Sequence, residues 1–307
     1  MAEKNTQYYV PEQSPWPFIT AVALFLVALG AATFIQQNSG SGIVTNEGSS
    51  GSIILPLGLT LIVIMMFVWF RDTIKESLAN MNSPQMDRSY RMGMLWFIFS
   101  EVMFFGAFFG ALFYVRILAV PWLGGAGEEA MTHELLWPNF QAMWPLTQTP
   151  GGGTTEAMPA WGLPFLNTVL LVSSSITLTI AHHALVAGQR NKLLLNLFIT
   201  LVLGFAFLFF QIEEYIHAYT ELGLTLDAGI YGSTFFMLTG FHGMHVTIGA
   251  TMLTIMFLRA LKGNLTPDNH FAFEASAWYW HFVDVVWLFL FFAVYIWGGW
   301  GGVVHHG

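Results

Sequence analysis

The sequence contains no cysteine and unusually few charged residues. Ten lysines and arginines and 18 aspartates and glutamates make up 9% of the 307 residues, whereas 55% are hydrophobic. A soluble domain usually carries about a quarter of its residues as charged side chains. The absence of cysteine excludes disulfides, zinc–thiolate sites, iron–sulfur clusters and thiol catalysis. The composition therefore predicts a protein that crosses a membrane several times. So few basic residues form no patch, and we expect no nucleic-acid partner.

Seven apolar runs are long enough to cross the hydrocarbon core, which needs about 20 helical residues. The only long connection between them is rich in glycine, proline and threonine, which is typical of irregular chain. No second domain and no repeat is visible. We predict an all-α polytopic membrane protein with a single membrane domain over residues 1–307. Its helices I–II cover about 17–70, its helices III–VII about 93–300, and its outer loop 121–163. The individual runs are 17–36, 52–70, 93–120, 164–187, 193–216, 229–259 and 276–300.

The basic residues predict the orientation in the membrane, because lysine and arginine concentrate on the inner side. All but one of them precede the first run or lie between runs two and three, four and five, or six and seven. The exception is Arg116, near the far end of run three. The alternate connections carry none. We therefore predict that the N-terminus lies inside and the C-terminus outside.

Several ionisable residues lie inside these runs, where such groups face protein rather than lipid. At about 1.5 Å per residue, Glu101 and Asp284 lie roughly 12 Å from the inner ends of runs three and seven. His281 lies about one turn shallower, on the same helix face as Asp284 because the two are three residues apart. We predict that these three residues belong to buried polar contacts on the inner side. For Glu101 we expect a neutral carboxyl group or a hydrogen bond to histidine.

The residue types alone leave three interpretations of this inner-side set open. A histidine pair, His182 or His183 with His281, could ligate a b-type haem and make the protein a membrane electron carrier. A proton relay could pass through Glu101. Alternatively, the polar groups only satisfy one another in a dry interior, with partners from the segment SSSITLTIAHH.

Glu214 and His217 near the end of run five form a Glu-x-x-His pair, the spacing found in di-iron bundles. Such a site needs a second copy and further carboxylates at the same depth, and the sequence offers none there. We expect a polar helix end at this position rather than a metal site.

Five segments carry a resemblance to a known family. In chain order they are SPWPFI, SEVMFFGAFFGALFY, LNTVLLVSSSITLTIAHHAL, GIYGSTFFMLTGFHGMHVTIGA and NHFAFEASAWYWHFVDVVWLFLFFAVYIWGG. Together they closely resemble subunit III of the haem-copper cytochrome c oxidases, of the bacterial aa3 type. The likeness extends over nearly the whole chain and is densest from 161 to 300.

The resemblance implies seven transmembrane helices and a subunit that itself carries no haem, no copper and no catalytic residue. Haem and copper belong to its partners, subunits I and II. In that family the first two helices splay from the other five and form a V-shaped cleft that holds phospholipids. The subunit stabilises subunit I and supports proton uptake by a complex that reduces oxygen to water and pumps protons. His281 and Asp284 are then internal polar contacts, and Glu101 is the buried acid of the family.

The resemblance also implies contacts with phospholipid head groups. These positions come from the segments WFRDTIKE, GFHGMHV and FLRALK, and they are Trp69, Lys75, Glu76, His245, Arg259 and Lys262. The segment after Glu76 departs from the family, because it lacks the usual histidines. The outer loop reads WPLTQTPGGG in place of the family's WPPTGI and is longer. This expanded loop is a candidate contact for a cytochrome c domain, and it favours the bacterial inner (plasma) membrane over the mitochondrial inner membrane.

Overall fold

The computed structural model describes residues 14–39, 50–79, 81, 83–127, 130–299 and 302–303. Seven helices within these ranges are long and apolar enough to cross a membrane. The prediction of an all-α polytopic fold is thereby confirmed. The spans are Trp16–Gln37, Ser50–Leu78, Pro84–Leu123, Leu163–Val186, Arg190–Thr220, Ile230–Leu261 and Phe271–Gly299.

The helices and strands follow one another with short connections except before α6. In chain order they are α1 (Trp16–Ser39), α2 (Ser50–Leu78), α3 (Pro84–Tyr114), α4 (Val120–Leu123), α5 (Ala130–Leu136), β1 (Met143–Trp144), α6 (Leu163–Val186), α7 (Arg190–Thr220), α8 (Ile230–Leu261), α9 (Phe271–Leu290), α10 (Trp297–Gly299) and β2 (Gly302–Val303). Two π-helical segments interrupt the third and seventh spans, at Val115–Ala119 and Phe291–Ile296.

The third span begins earlier than the sequence predicts. Helix α3 starts at Pro84, although the apolar run starts only at 93. The intervening turns carry Asp87, Arg88 and Arg91, which hydropathy counts against a membrane segment. Charged side chains at a helix end can extend to the head-group region, so the backbone stays helical while the composition turns polar. Proline at the first position also suits a helix start.

The chain divides into two compact units, Met1–Tyr90 and Arg91–Gly307. The division falls between the predicted helices I–II and III–VII. In unit 1, α1 and α2 approach closely at small residues. A Cβ atom on Gly51 would lie 2.5 Å from the Phe34 nitrogen, and one on Gly58 would lie 2.7 Å from the Val27 nitrogen. Since Gly51 meets Phe34 and the later Gly58 meets the earlier Val27, the two helices run antiparallel.

In unit 2, helix α9 lies at the centre of the packing. Its Trp280 and Trp287 are 1% and 0% exposed. The Trp280 ring lies against glycines of two neighbouring helices, because a Cβ atom on Gly204 of α7 or on Gly249 of α8 would come within 2.7 Å or 2.9 Å of it. The indole N–H of Trp280 donates to Ser174 Oγ of α6 at 2.9 Å. One side chain therefore fixes α9 against α6, α7 and α8.

The long connection between α4 and α6 is held against the helices of unit 2 and against the C-terminal segment. Strands β1 and β2 pair antiparallel, which joins this connection to the C-terminal segment. Thr155 Oγ1 donates to the Leu222 carbonyl at 3.2 Å, and the Met158 N–H donates to the Tyr231 hydroxyl at 3.3 Å. We call this end of unit 2 the loop end. The opposite end carries the short connections 187–189 and 262–270 and corresponds to the predicted inner side.

Candidate functional site

Glu101 of α3 forms a hydrogen-bonded pair with His245 of α8. Glu101 Oε2 and His245 Nε2 are 3.0 Å apart, and His245 Nδ1 lies 2.6 Å from the Phe241 carbonyl oxygen. A carbonyl can only accept a hydrogen bond, so Nδ1 carries a proton. Nε2 then either accepts a proton from a neutral Glu101 or, as part of an imidazolium, donates one to the carboxylate. The pair shares one further proton that either side chain can hold.

The pair lies in an aromatic environment. The His245 ring is 5.0 Å from the Phe105 ring and 6.4 Å from the Tyr279 ring, centroid to centroid. The His245 side chain is 5% exposed, whereas that of Glu101 is 22% exposed. A low local dielectric strengthens the hydrogen bond and makes an unpartnered member costly. The environment therefore stabilises the two side chains as a pair.

The hydrogen bond between Glu101 and a histidine was one of the expected arrangements, but the sequence did not identify His245 as the partner. The reason is that depths were counted from the ends of the apolar runs and not from the ends of the helices. Helix α3 begins at Pro84, at the opposite end of the bundle from the loop end, and Glu101 lies about 25 Å along the helix from that residue. His245 lies about 24 Å from the terminus of α8 at Leu261. The two depths agree once the full helices are used, whereas a start at 93 places Glu101 too shallow.

His281 and Asp284 do not join the Glu101–His245 pair. His281 Nδ1 lies 3.1 Å from Ser175 Oγ of α6, so its partner comes from the polar segment of α6. Asp284 is 8% exposed, and its Oδ1 atom has no hydrogen-bond partner within the described ranges. The described hydrogen bonds link neither residue to the other nor to Glu101. The predicted inner-side set thus divides into separate polar contacts.

The other histidines of the spans also have protein neighbours. His242 Nε2 lies 3.0 Å from the Val283 carbonyl oxygen, inside the core. The His182 ring lies 5.9 Å from the His270 ring, and His183 is exposed. Across the described part of the chain, no group of three or more histidines and acidic residues is arranged to hold a metal ion.

The predicted lipid contacts of unit 1 lie near the end of α2. Trp69 is 46% exposed and stacks on Phe70 with 5.6 Å between the ring centroids. Lys75 Nζ lies 3.4 Å from Asp72 Oδ1, and both side chains are well exposed. Glu76 is half-buried. This segment therefore offers an aromatic ring and mixed charges within two helical turns.

The predicted lipid contacts of unit 2 are divided between its interior and its opposite end. Arg259 is 7% exposed, and its Nε atom has no hydrogen-bond partner among the described residues. Lys262 follows at the end of α8 and is exposed. Nearby, Arg190 donates to the Leu261 carbonyl at 2.8 Å. His245 differs from these residues, since protein groups engage both of its ring nitrogens; a head-group contact there stays a prediction.

Sequence analysis missed a second buried polar cluster near the loop end. The Tyr295 hydroxyl donates to Glu214 Oε1 at 2.6 Å, and Glu214 is fully buried. Asn167 and Gln211 are also buried, with side-chain amides that lack hydrogen-bond partners among the described residues. The polar helix end expected here is only partly observed, since Glu213 is exposed while Glu214 points inward. One sequence feature could have revealed this cluster: Gln211 and Glu214 are three residues apart, which places both side chains on one face of α7.

Comparison with known proteins places this chain in a family. The family model for cytochrome c oxidase subunit III matches residues 6–299. Cytochrome c oxidase subunit 3 of Tetraodon nigroviridis is 40% identical over 299 residues, which cover 97% of this chain and 100% of that protein. The protein of the same name from Neotragus moschatus is 41% identical, and that from Rhinoceros unicornis 39%, with the same coverage of both chains. The predicted resemblance to subunit III is confirmed, whereas the bacterial aa3 type stays a prediction, because these relatives are animal proteins. The comparisons give no support to a b-type haem carrier. The chain belongs to the cytochrome c oxidase subunit III family, whose members are subunits of a proton-pumping oxidoreductase and carry no redox cofactor themselves.

Proposed function

We propose that this chain stabilises subunit I of the oxidase, binds phospholipid and supports proton uptake through the Glu101–His245 pair. The chain is a multi-pass inner-membrane protein, and it assembles with the other oxidase subunits. Oxygen reduction and proton pumping are activities of that complex. The 3.0 Å contact between Glu101 Oε2 and His245 Nε2 carries the proposal, since it places a shared proton inside the membrane-spanning bundle.

The pair acts as a positioning and proton-holding element rather than as a catalytic acid. Loss of the Glu101 carboxyl group would leave His245 Nε2 without its partner in an apolar environment. Such an unpartnered buried group costs about 1–3 kcal/mol. The pair joins α3 to α8, so the same change would weaken the contact between these helices. Proton uptake and the stability of the subunit therefore depend on one contact.

Phospholipid binding is proposed for the opposite end of unit 2 and for the end of α2. Lys262 and Arg190 are exposed close to the end of α8 at the predicted inner surface, and Arg259 lies buried one turn before Lys262. Anionic lipids attract basic residues at that surface by about 1 kcal/mol each. In unit 1 the exposed ring of Trp69 suits the membrane interface, while Lys75 and Glu76 can meet a polar head group.

The experiment is oxygen consumption by the purified oxidase over many turnovers, with Glu101→Gln and Glu101→Ala. We expect Glu101→Gln to retain the initial rate, because the amide keeps the shape and can still hydrogen-bond to His245. It should shorten the active lifetime, because the amide cannot hold the shared proton. Glu101→Ala should also reduce the amount of this subunit in the complex, since it adds a cavity.

Asp227→Asn is the matched control, because Asp227 is exposed and lies in the 221–229 connection at the loop end, away from the pair. Its active lifetime should equal that of the unaltered complex. A Glu101→Gln complex that is fully assembled but has no initial activity would replace the proposed role with direct proton transfer. A normal lifetime in both Glu101 variants would remove the pair from the proposal altogether.

We further infer a bacterial plasma membrane location and a contact between the 121–163 connection and a cytochrome c domain. The inference is supported by the expanded WPLTQTPGGG segment and by the acidic residues Glu134 and Glu156 in this connection. Carbodiimide cross-linking of the purified complex, followed by mass spectrometry, tests the contact. Cross-links from Glu134 or Glu156 to lysines of a cytochrome are expected; cross-links that reach only oxidase subunits would contradict it.

A further inference from the structure

Three buried polar side chains near the loop end of unit 2 leave most of their hydrogen-bonding groups unused. They are Asn167 of α6 with Gln211 and Glu214 of α7, and we call them the loop-end cluster. These residues are 0%, 4% and 0% exposed. Five of their atoms have no hydrogen-bond partner among the described residues: both amide atoms of Asn167, both of Gln211, and Oε2 of Glu214. Native proteins leave few buried polar atoms unsatisfied, so a concentration of five requires an explanation.

Asn167 and Gln211 lie at the same level of two adjacent helices. Helices α6 and α7 run antiparallel, because only residues 187–189 connect them, and Thr177 Oγ1 lies 2.8 Å from Thr200 Oγ1. Asn167 comes ten residues before Thr177 and Gln211 eleven residues after Thr200, which is about 15–17 Å along each helix. Both belong to the buried residues of their helices. The two amides therefore occupy the same level of the core.

Trp287 of α9 borders this part of the core. Its indole N–H donates to Oγ1 of Thr168, the residue next to Asn167, at 3.0 Å. Its ring lies 4.8 Å from the ring of Phe207, one turn before the glutamine of α7, and 6.0 Å from the ring of Tyr295. The Tyr295 hydroxyl in turn donates to the glutamate of the cluster. Trp287 is thus a buried neighbour of both helices that carry the cluster.

The mixture of unused groups indicates which ligand fits. The two amide nitrogens offer four N–H donors, whereas the two amide oxygens and Glu214 Oε2 are acceptors. A cation would be repelled by the N–H groups, and an anion by the oxygens. The described residues also contain no group of three or more histidines and acids suited to a metal ion. Water both donates and accepts, and it commonly joins buried polar groups that have no protein partner.

We propose that the loop-end cluster binds internal water molecules that bridge Asn167, Gln211 and Glu214. Each water accepts an amide N–H and donates to an amide or carboxyl oxygen. Buried waters typically make about three such hydrogen bonds. The bridges join α6 to α7 at a level where the described side chains of the cluster form no direct bond. This site goes beyond the proposed function and does not involve the Glu101–His245 pair.

The test is X-ray radiolytic footprinting of the purified oxidase, in which hydroxyl radicals formed from water oxidise the side chains next to that water. Trp287 and Trp280 are matched reporters on α9, with 0% and 1% exposure. The indole N–H of each donates to a hydroxyl oxygen of α6. Bulk water reaches neither ring, so oxidation reports internal water. We expect Trp287 to be oxidised and Trp280, which packs against glycines, to stay at background.

The variant that tests the cluster itself combines Asn167→Leu with Gln211→Met, which keeps the side-chain size and removes all four amide atoms. We expect this double variant to lose the oxidation of Trp287. Asn196→Leu is the matched control, because Asn196 lies near the opposite end of α7, and it should retain the oxidation. If the double variant fails to assemble, the comparison of Trp287 with Trp280 in the unaltered complex still decides the outcome.

Thermal unfolding of the complex with Asn167→Leu alone separates a hydrated cluster from a dry one. With water present, the change breaks the bridges and strands their remaining partners, so the unfolding temperature should fall. In a dry cluster the same change removes an unpaired buried amide, so the temperature would rise.

Three results would overturn the proposal. They are a Trp287 ring oxidised no more than Trp280, oxidation of Trp287 that persists in an assembled double variant, and a higher unfolding temperature for Asn167→Leu. None of these measurements depends on the oxygen-consumption lifetime, so this proposal and the proposed function can fail separately.

Discussion

Replacement of Gly249 by alanine should loosen unit 2, because this glycine provides the space in which Trp280 lies. A Cβ atom at Gly249 would come 2.9 Å from the Trp280 ring, closer than real Cβ atoms approach other carbons. The ring cannot shift freely, since its N–H is bound to Ser174 and its far side meets Gly204. Overpacking of this kind costs about 1–3 kcal/mol. Alanine is otherwise favoured over glycine in a helix by about 1 kcal/mol, which offsets part of the loss.

Gly243→Ala is the matched control for this substitution. Gly243 lies on the same helix, and apart from its chain neighbours and the adjacent backbone of α8, no described atom lies within 4 Å of a Cβ atom placed there. The control therefore gains the helix propensity without the overlap, and we expect it to be neutral or slightly stabilising. The two variants should differ by about 1–3 kcal/mol, the cost of the overlap alone.

The assay is retention of this subunit in the purified oxidase during a detergent titration, combined with thermal unfolding of the complex. Gly249→Ala should lose the subunit at a lower detergent concentration and unfold at a lower temperature than Gly243→Ala. Identical behaviour of the two variants would refute the reasoning, because it would show that the Trp280 contact does not limit the packing of α9.

Two further predictions concern the ends of the bundle. Replacement of Arg259 and Lys262 by glutamine should lower the amount of anionic phospholipid that co-purifies with the complex, because it removes the exposed charge of Lys262 at the predicted inner surface and the buried charge of Arg259 one turn before it; lipid analysis showing the same content would count against the proposed contact. Tyr295→Phe should destabilise the subunit by about 1–3 kcal/mol, because it removes the hydrogen bond to the fully buried Glu214. Thermal unfolding measures this loss, and Tyr219→Phe, at an exposed ring, should leave stability unchanged; equal effects of both changes would show that the buried hydrogen bond is unimportant.

The sequence by itself determined the class of the protein. The scarcity of charge and the length of the apolar runs are properties of each segment alone, and a segment of about 20 apolar residues has few alternatives to a membrane helix. The helical character of the chain was therefore predictable without knowledge of any contact. Family membership was also predictable, because segments such as WYWHFVDVVWLFLF resemble subunit III of the cytochrome c oxidases in their residues alone.

Only the tertiary structure decided which polar side chains meet. Glu101 and His245 are 144 positions apart, and their contact depends on the offset between α3 and α8. That offset could not be obtained from hydropathy, because α3 continues for two polar turns before its apolar run begins. Glu101 was therefore assigned the depth of Asp284, to which it is not bonded.

The burial of Glu214, at the loop end, is a second feature that the sequence left open and the tertiary structure decided. The sequence places Glu213 and Glu214 next to each other near a helix end, and nothing in their residue type distinguishes them. The rotation of α7 directs Glu214 toward Tyr295 and leaves Glu213 exposed. Gly204, which packs against Trp280 of α9, is also among the buried residues of α7, so the face that carries Glu214 is held against the bundle. Composition thus determines that a segment becomes a membrane helix, whereas the partners of its polar groups depend on helix rotation and offset, which interhelical packing sets.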